Sequence, residues 1–249
     1  MSKSPRELFD LGADRAPYVR RMFGEIAARY DLINTLMTGG RHHAWRRLAA
    51  SLLVRPGDAV DDVGCGTGDF ALACEAAGAG KVLGLDFAEQ MLGYARTKAA
   101  RRGATATAFA AGDATRLPLP DRSVDVWCSA FVVRNIPDLD VALAEAYRVL
   151  RPGGRIGVLE IPRLEGGLLR PLIRLHFARL VPLLGRLISG HESAYRYLPV
   201  SVDRFLTPRE FSTKLRDAGF ELRDVRLLMF GTIALHIAQR PGGRGAGEA

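Results

Sequence analysis

The segment VDDVGCGTGD, Val60 to Asp69, settles the architecture. Its first half predicts a short strand, Ala59 to Val63, and Asp69 to Ala77 beyond it reads as a helix. Between them stand Gly64, Gly66 and Gly68, spaced Gly-x-Gly-x-Gly around Cys65 and Thr67. Glycines there permit a tight turn and close approach of the backbone to a ligand. A dinucleotide fingerprint would place its third glycine where Asp69 stands. A carboxylate at that point opposes a pyrophosphate, so the loop favours a ligand without phosphates.

Working outward, Lys81 to Leu85 forms a second strand, and Asp86 closes it 22 positions after Gly64. A carboxylate at the end of that strand suits the two hydroxyls of a ribose. After a helix over Ala88 to Arg101 and a weak third strand over Thr105 to Ala110 comes Ala111-Gly112-Asp113-Ala114. Asp113 is placed to accept from an exocyclic adenine amine, with Ala114 beside it. A glycine loop, a ribose acid and an adenine acid on successive strand ends point to S-adenosylmethionine.

The remaining elements repeat the alternation. Val124 to Ala130 is a strand, Leu139 to Leu150 a helix ending at Arg151-Pro152-Gly153-Gly154, and Arg155 to Glu160 a strand. Thr207-Pro208 opens a helix that stops at Gly219, Pro208 taking the first helical position. Glu221 to Met229 and Thr232 to Gln239 flank Phe230-Gly231 as an antiparallel hairpin. The expected fold is therefore α/β and Rossmann-like. It has a mostly parallel twisted sheet with helices on both faces and a C-terminal antiparallel hairpin. Residues 1–52 read as a helical cap, broken at Thr38-Gly39-Gly40, with roughly the first 15 flexible. Residues 53–240 form the cofactor domain, with a helical substrate lid at about 164–200. Residues 241–249 read as a disordered tail.

Composition narrows the function classes. The 249 residues are 48% hydrophobic and 25% charged, which excludes wholesale disorder. Cys65, Cys74 and Cys128 give no disulfide framework and no Cys-x-x-Cys, so a reduced, cytoplasmic setting is expected. No signal peptide and no span-length apolar run is visible. No cluster has metal-ligand spacing, so no metal is expected. The formal charge of +8 asks for an acidic partner. Residues 15–47 carry seven Arg against Glu25 and Asp31, and residues 163–187 five Arg against Glu165. Basic excess on a cap and an apolar lid favours the inner face of a membrane over nucleic acid.

YDLINTLMTGGRHHAW, Tyr30 to Trp45, resembles the N-terminal signature of the UbiE/COQ5 family of quinone C-methyltransferases. Tyr30, Asp31, Ile33, Asn34, His42 and Trp45 fall in register, and Thr38 takes a usual serine position. FVVRNIPD, Phe131 to Asp138, resembles the family's Arg-Asn segment. SAYRYLP (193–199) and GTIALH (231–236) look familial as well. Two departures are Asp61, where an apolar residue is usual, and Ala130, where a serine is common beside Ser129.

The resemblance implies class I methyl transfer from S-adenosylmethionine to a ring carbon of a polyprenylated hydroquinone, with demethylmenaquinol as the first choice. The candidate residues follow. Arg134 would stabilise a phenolate, His42 has the ordinary pKa of a general base, Asn135 would hold the second oxygen, and Tyr30 would cover the site. Gly64, Gly66, Thr67, Gly68, Asp86, Asp113, Ala114, Ser129 and Ala130 would hold the cofactor; Asn34 and Tyr195 would meet substrate. Asp31 reads as a helix cap and His43 as solvated. A different hydrophobic acceptor, a non-catalytic subunit of a quinone-synthesis complex and a homodimer stay open.

Overall fold

The computed structural model describes residues 15–164 and 192–242. Residues 165–191 of the lid expected at about 164–200 lie outside the described residues, as do residues 1–14, residues 243–249 and the side chains of 192–196, Tyr195 among them.

Two helices open the described chain, α1 (Arg15–Thr38) and α2 (Arg41–Leu53), separated at Gly39-Gly40 as the glycine pair predicts. On α2 the buried residues are His42, Trp45, Arg46, Ala49, Ala50 and Leu53. They recur at three and four positions, one stripe of a 3.6-residue helix. Then come β1 (Ala59–Val63), α3 (Asp69–Ala76), β2 (Lys81–Asp86), α4 (Glu89–Arg101), β3 (Thr107–Ala111) and β4 (Val124–Ala130). A 3₁₀ turn over Val133–Asn135 leads to α5 (Leu139–Val149) and β5 (Leu150–Glu160). After the lid region follow α6 (Glu192–Asp203), α7 (Pro208–Asp217), β6 (Glu221–Leu228) and β7 (Ile233–Gln239).

The strands form one sheet in the order β3-β2-β1-β4-β5-β7-β6. β1 to β5 pair in parallel, and β7 lies antiparallel to both β5 and β6. The order reverses at β1, so β1 and β4 flank the switch point where α/β sheets open a crevice at their carboxyl ends. β5 begins earlier than expected. Leu150 already pairs with Val124, and the register then jumps so that Arg155 pairs with Val126, the Pro-Gly-Gly turn looping out between them. The hairpin turn is a 3₁₀ turn over Met229–Gly231, with Phe230 86% exposed. Thr207 and Glu210 form a reciprocal capping box at the start of α7.

Arg155 fixes the polarity of α2. It donates to the Leu53 carbonyl at 2.6 Å and to Asp58 at 2.7 Å. The C-terminus of α2 is thereby held at Arg155 of β5, just past the Pro-Gly-Gly turn, and the opposite end, with His42 and Arg46, lies over the strands' carboxyl rim. α1 packs against α4 and α6; its core includes Val19, Met22, Ile26 and Ile33 with Tyr197.

Asp61 lies inside the sheet, in register between Leu83 and Trp127. It is fully buried, and neither its oxygens nor the Trp127 Nε1 has a hydrogen-bond partner among the described residues. Burial, reinforced by Asp62, pushes its carboxyl well above the usual range. The folded chain keeps a proton there that the unfolded chain releases as pH rises through the ordinary 3.8. Stability is therefore greatest below that value and falls as pH rises toward the folded pKa. An apolar side chain removes the cost. Asp61→Leu is expected to gain about 1–3 kcal/mol at pH 7 and to flatten the pH dependence, read by urea unfolding at pH 5 and pH 7. A less stable variant would show that the buried acid is satisfied.

Candidate active site

The glycine loop is anchored to the end of β2. Gly64 and Cys65 donate their backbone N–H groups to the Leu85 carbonyl at 2.7 and 2.9 Å. Asp86 accepts from Gly66 N–H through one oxygen and from Ala88 N–H through the other, both at 2.8 Å. Burial raises the Asp86 pKa, and these amides oppose the rise. Each oxygen keeps a lone pair for a further donor. Gly64 has φ +71°, and a Cβ there would lie 2.4 Å from the Val132 side chain. Gly66 has φ +54° and open space where a Cβ would stand. A bare backbone edge beside a fixed carboxylate fits a nucleoside ligand such as S-adenosylmethionine.

A crevice opens above the loop, lined by Tyr30, Arg46, Asp62, Gly64, Cys65, Gly66, Thr67, Asp69, Phe70 and Ala130. Asp62 is fully buried, the Ala71 N–H bears on its carboxyl, and its pKa is pushed to about 7. Burial is the main cause, with Arg46 opposing it. The acid thus sits at the wall of the crevice able to accept from a cationic ligand group.

The cap is clamped to this loop by one ammonium. Lys98 of α4 lies 2.6 Å from Asp31 of α1, 2.8 Å from Asp69 of α3 and 3.0 Å from the Thr67 hydroxyl. Thr67 in turn donates to Asp31 at 2.6 Å. Asp31 therefore bridges inside α1 instead of capping a helix, because its oxygens meet cations from another element. Burial alone would raise the Asp69 pKa; Lys98 outweighs it and the carboxyl is lowered.

His42 is 2% exposed. Its Nδ1 accepts from Arg46 at 2.7 Å and its Nε2 faces the Thr35 hydroxyl at 3.3 Å. Burial first, then Arg46, lowers its pKa to about 4. The imidazole is neutral at pH 7 and weakly basic, with one nitrogen already spent. His43 stacks on it with ring centroids 3.9 Å apart and faces Asp69 at 3.7 Å, so it is half-buried instead of solvated. His42, His43 and Asp69 bring ligand-type atoms within 4.8 Å of one another, a proximity that sequence spacing hides. Arg46 on His42 and Lys98 on Asp69 already engage two of the three.

Arg134 is 8% exposed and fully engaged in clamping. Its Nη1 donates to Glu160 at 2.5 Å and to the Phe131 carbonyl at 2.6 Å, and its Nε to Ser201 at 3.3 Å. The guanidinium ties the turn after β4 to the end of β5 and to α6, with Glu160 neutralising its charge. Asn135 beside it is buried, and its Oδ1 has no partner among the described residues. Tyr30 bonds to the Asn34 side chain; burial raises its pKa, and Arg46 and Arg134 oppose the rise. Ser129 is fully buried and donates to the Val63 carbonyl at 2.7 Å, so Ala130 alone of that pair lines the crevice. Asp113 is exposed and forms an Asx turn with Thr115, at 2.8 Å to N–H and 2.7 Å to the hydroxyl. Ala114 packs into the core below.

Residues 11–240 match the profile of the ubiE/COQ5 methyltransferase family. The chain belongs to that family. It is 46% identical to the demethylmenaquinone methyltransferase of Thermus thermophilus over 222 residues, covering 88% of this chain and all of the relative. It is 42% identical to the demethylmenaquinone methyltransferase of Deinococcus radiodurans, with 91% and 94% covered. It is 41% identical to the ubiquinone/menaquinone biosynthesis C-methyltransferase UbiE of Methylobacterium nodulans, again with 91% and 94% covered. Among solved structures, an S-adenosylmethionine-dependent methyltransferase from Aquifex aeolicus superposes with a TM-score of 0.60 at 20% identity, covering 84% of this chain and 97% of its own. The [4+2]-cyclase SpnF superposes at 0.68 and 20% identity, covering 90% and 96%. The fold is thus the Rossmann-like methyltransferase fold, and the fold alone does not fix the reaction.

Arg46 and Lys98 escaped sequence reasoning, and Asp69 was legible only as an acid that opposes a pyrophosphate. The buried stripe of α2 was a usable signal for Arg46, since it puts position 46 on the inward face. Lys98 gave none, being one of several cations on α4. Lys98→Met leaves the buried Asp69 without its main partner. The expected loss is about 3 kcal/mol at pH 7, read by urea unfolding, with faster hydrogen exchange in α1; Lys98→Arg loses less. Wild-type stability and exchange in Lys98→Met would remove the clamp.

Proposed function

We propose that this methyltransferase C-methylates a polyprenylated hydroquinone, with demethylmenaquinol as the acceptor. The observation that carries the reading is the composition of the crevice. A cofactor loop is roofed by a helical cap whose Tyr30, bonded to Asn34, and Arg46 line the crevice with it. The full-length likeness to demethylmenaquinone methyltransferases supports the ring.

S-adenosylmethionine, when bound, supplies an electrophilic methyl group on a sulfonium. Gly64, Gly66, Thr67 and Gly68 would pass the loop backbone along it, Asp86 would accept its ribose hydroxyls, and Asp62 would face its cationic end. The protein's remaining task is to make a ring carbon nucleophilic. Loss of a hydroxyl proton from the quinol pushes charge onto the adjacent carbon, and a fixed cation stabilises that charge. The ring gains one methyl and loses one proton, so no oxidant or reductant is required. Tyr30 and Trp45, the latter edge-on to Phe131 at 6.5 Å, would exclude water above the loop.

The acceptor's isoprenoid tail calls for a lipid surface. Support comes from the basic cap and from Leu32 and Leu36, both more than half exposed on α1. No described helix is long and apolar enough to cross a membrane, so contact would be peripheral. Anionic vesicles should co-sediment with the protein at low salt and release it at high salt.

The deciding assay is anaerobic. Purified protein is incubated with methyl-labelled S-adenosylmethionine and demethylmenaquinol, the benzoquinol precursor of ubiquinol, or RNA. Label on a naphthoquinol ring carbon, located by mass spectrometry, is expected. Label confined to the benzoquinol would move the acceptor class; cofactor binding with no labelled product would favour a non-catalytic subunit.

A further inference from the structure

We propose that Arg46 is the catalytic cation that binds the ionised oxygen of the quinol acceptor. It rests on the quinol reading above. The reaction needs a positive group facing the space above the glycine loop. Two buried arginines lie near that space, and their surroundings differ. Arg134 spends its Nη1 on Glu160 and a carbonyl and its Nε on Ser201, so its charge is already neutralised.

Arg46 lines the crevice itself and is 7% exposed. Its Nη1 is held by two neutral acceptors, His42 Nδ1 at 2.7 Å and the His42 carbonyl at 3.3 Å. Its guanidinium lies over the Phe131 ring, 5.0 Å from the centroid. No carboxylate comes within salt-bridge distance of it among the described residues. The charged and titratable groups around it are Tyr30 from α1, His42 and His43 from α2, Asp62 from β1 and Asp69 from α3. Its charge bears on all five.

His42 acquires a role from this arrangement. It is a positioning residue that holds Nη1 and leaves the rest of the planar fork to a ligand oxygen. A fixed guanidinium in a low-dielectric wall favours phenolate over phenol without taking the proton itself. Solvent or a further group receives that proton.

The cofactor gives the test its sign. S-adenosylmethionine carries a sulfonium and an ammonium against one carboxylate, a net positive ligand that Arg46 repels. A catalytic Arg46 predicts that Arg46→Met slows turnover of demethylmenaquinol by about 100-fold or more. Calorimetry should then show cofactor affinity unchanged or tighter. The defect should shrink several-fold on a ring-fluorinated quinol, whose hydroxyl ionises more readily. Arg46→Gln, which keeps a donor toward His42, is a second neutral variant with the same expectation. Arg46→Lys should recover most of the lost rate. Wild-type turnover in the neutral variants, an equal defect on both acceptors, weakened cofactor binding, or a Lys variant as slow as the neutral ones would each overturn the proposal. Wild-type enzyme in the same assay separates the two readings. A wild type silent on quinols removes the acceptor assignment; an active wild type matched by Arg46→Met removes Arg46 alone.

Discussion

One ammonium holds the reactive half of this molecule together. Lys98 reaches Asp31 on the cap, Asp69 at the start of α3 and Thr67 in the glycine loop, all within 3.0 Å. The Lys98 side chain is only 18% exposed and that of Asp69 only 7%, so solvent screens that leg poorly, whereas Asp31 at 42% is the more solvated partner. The consequence is positional. With Asp31 tied to the loop, α1 sets Tyr30, bonded to Asn34, above it. The α1–α2 break at Gly39-Gly40 then turns α2 back, and Arg155 fixes the far end of α2 at Leu53. His42 and Arg46 can only arrive over the carboxyl ends of β1 and β4.

Electrostatics divides the two halves of the crevice. The floor carries acids: Asp62, Asp69 and Asp86, of which Asp62 and Asp86 have raised pKa values because they are buried. The roof carries Arg46, with His42 kept neutral by burial and by that same arginine. A cationic methyl donor suits the floor, and an acceptor that becomes anionic suits the roof. Arg134 and Glu160 stand behind this arrangement as a structural pair, closing the turn after β4 against β5 and α6.

Local chemistry made most of the fold legible. The glycine loop, the strand before it and the helix after it are contiguous in the chain, as is the Thr207–Glu210 capping box. The start of β5 is not legible in the sequence, because the pairing of Leu150 with Val124 depends on a partner strand. The site was legible only where one motif carried it. Gly64, Gly66 and Asp86 were visible; the Lys98 clamp reaches partners 29, 31 and 67 positions away and left no periodic trace. Arg134 stood out by its motif, yet its neutralisation comes from Glu160, 26 residues on. Ser129 stands next to Ala130, where the family's serine is missing, yet it cannot take that serine's place because adjacent strand residues face opposite ways and its hydroxyl is spent on the Val63 carbonyl.

The central claim is that the cap creates a positive roof that ionises the acceptor. Anaerobic spectrophotometric titration of a short-chain demethylmenaquinol analogue bound to the wild-type protein, with S-adenosylhomocysteine present, tests it most directly. The account predicts that the bound quinol ionises at a pH at least one unit below that of the free quinol. An unchanged or raised value for the bound quinol would contradict it.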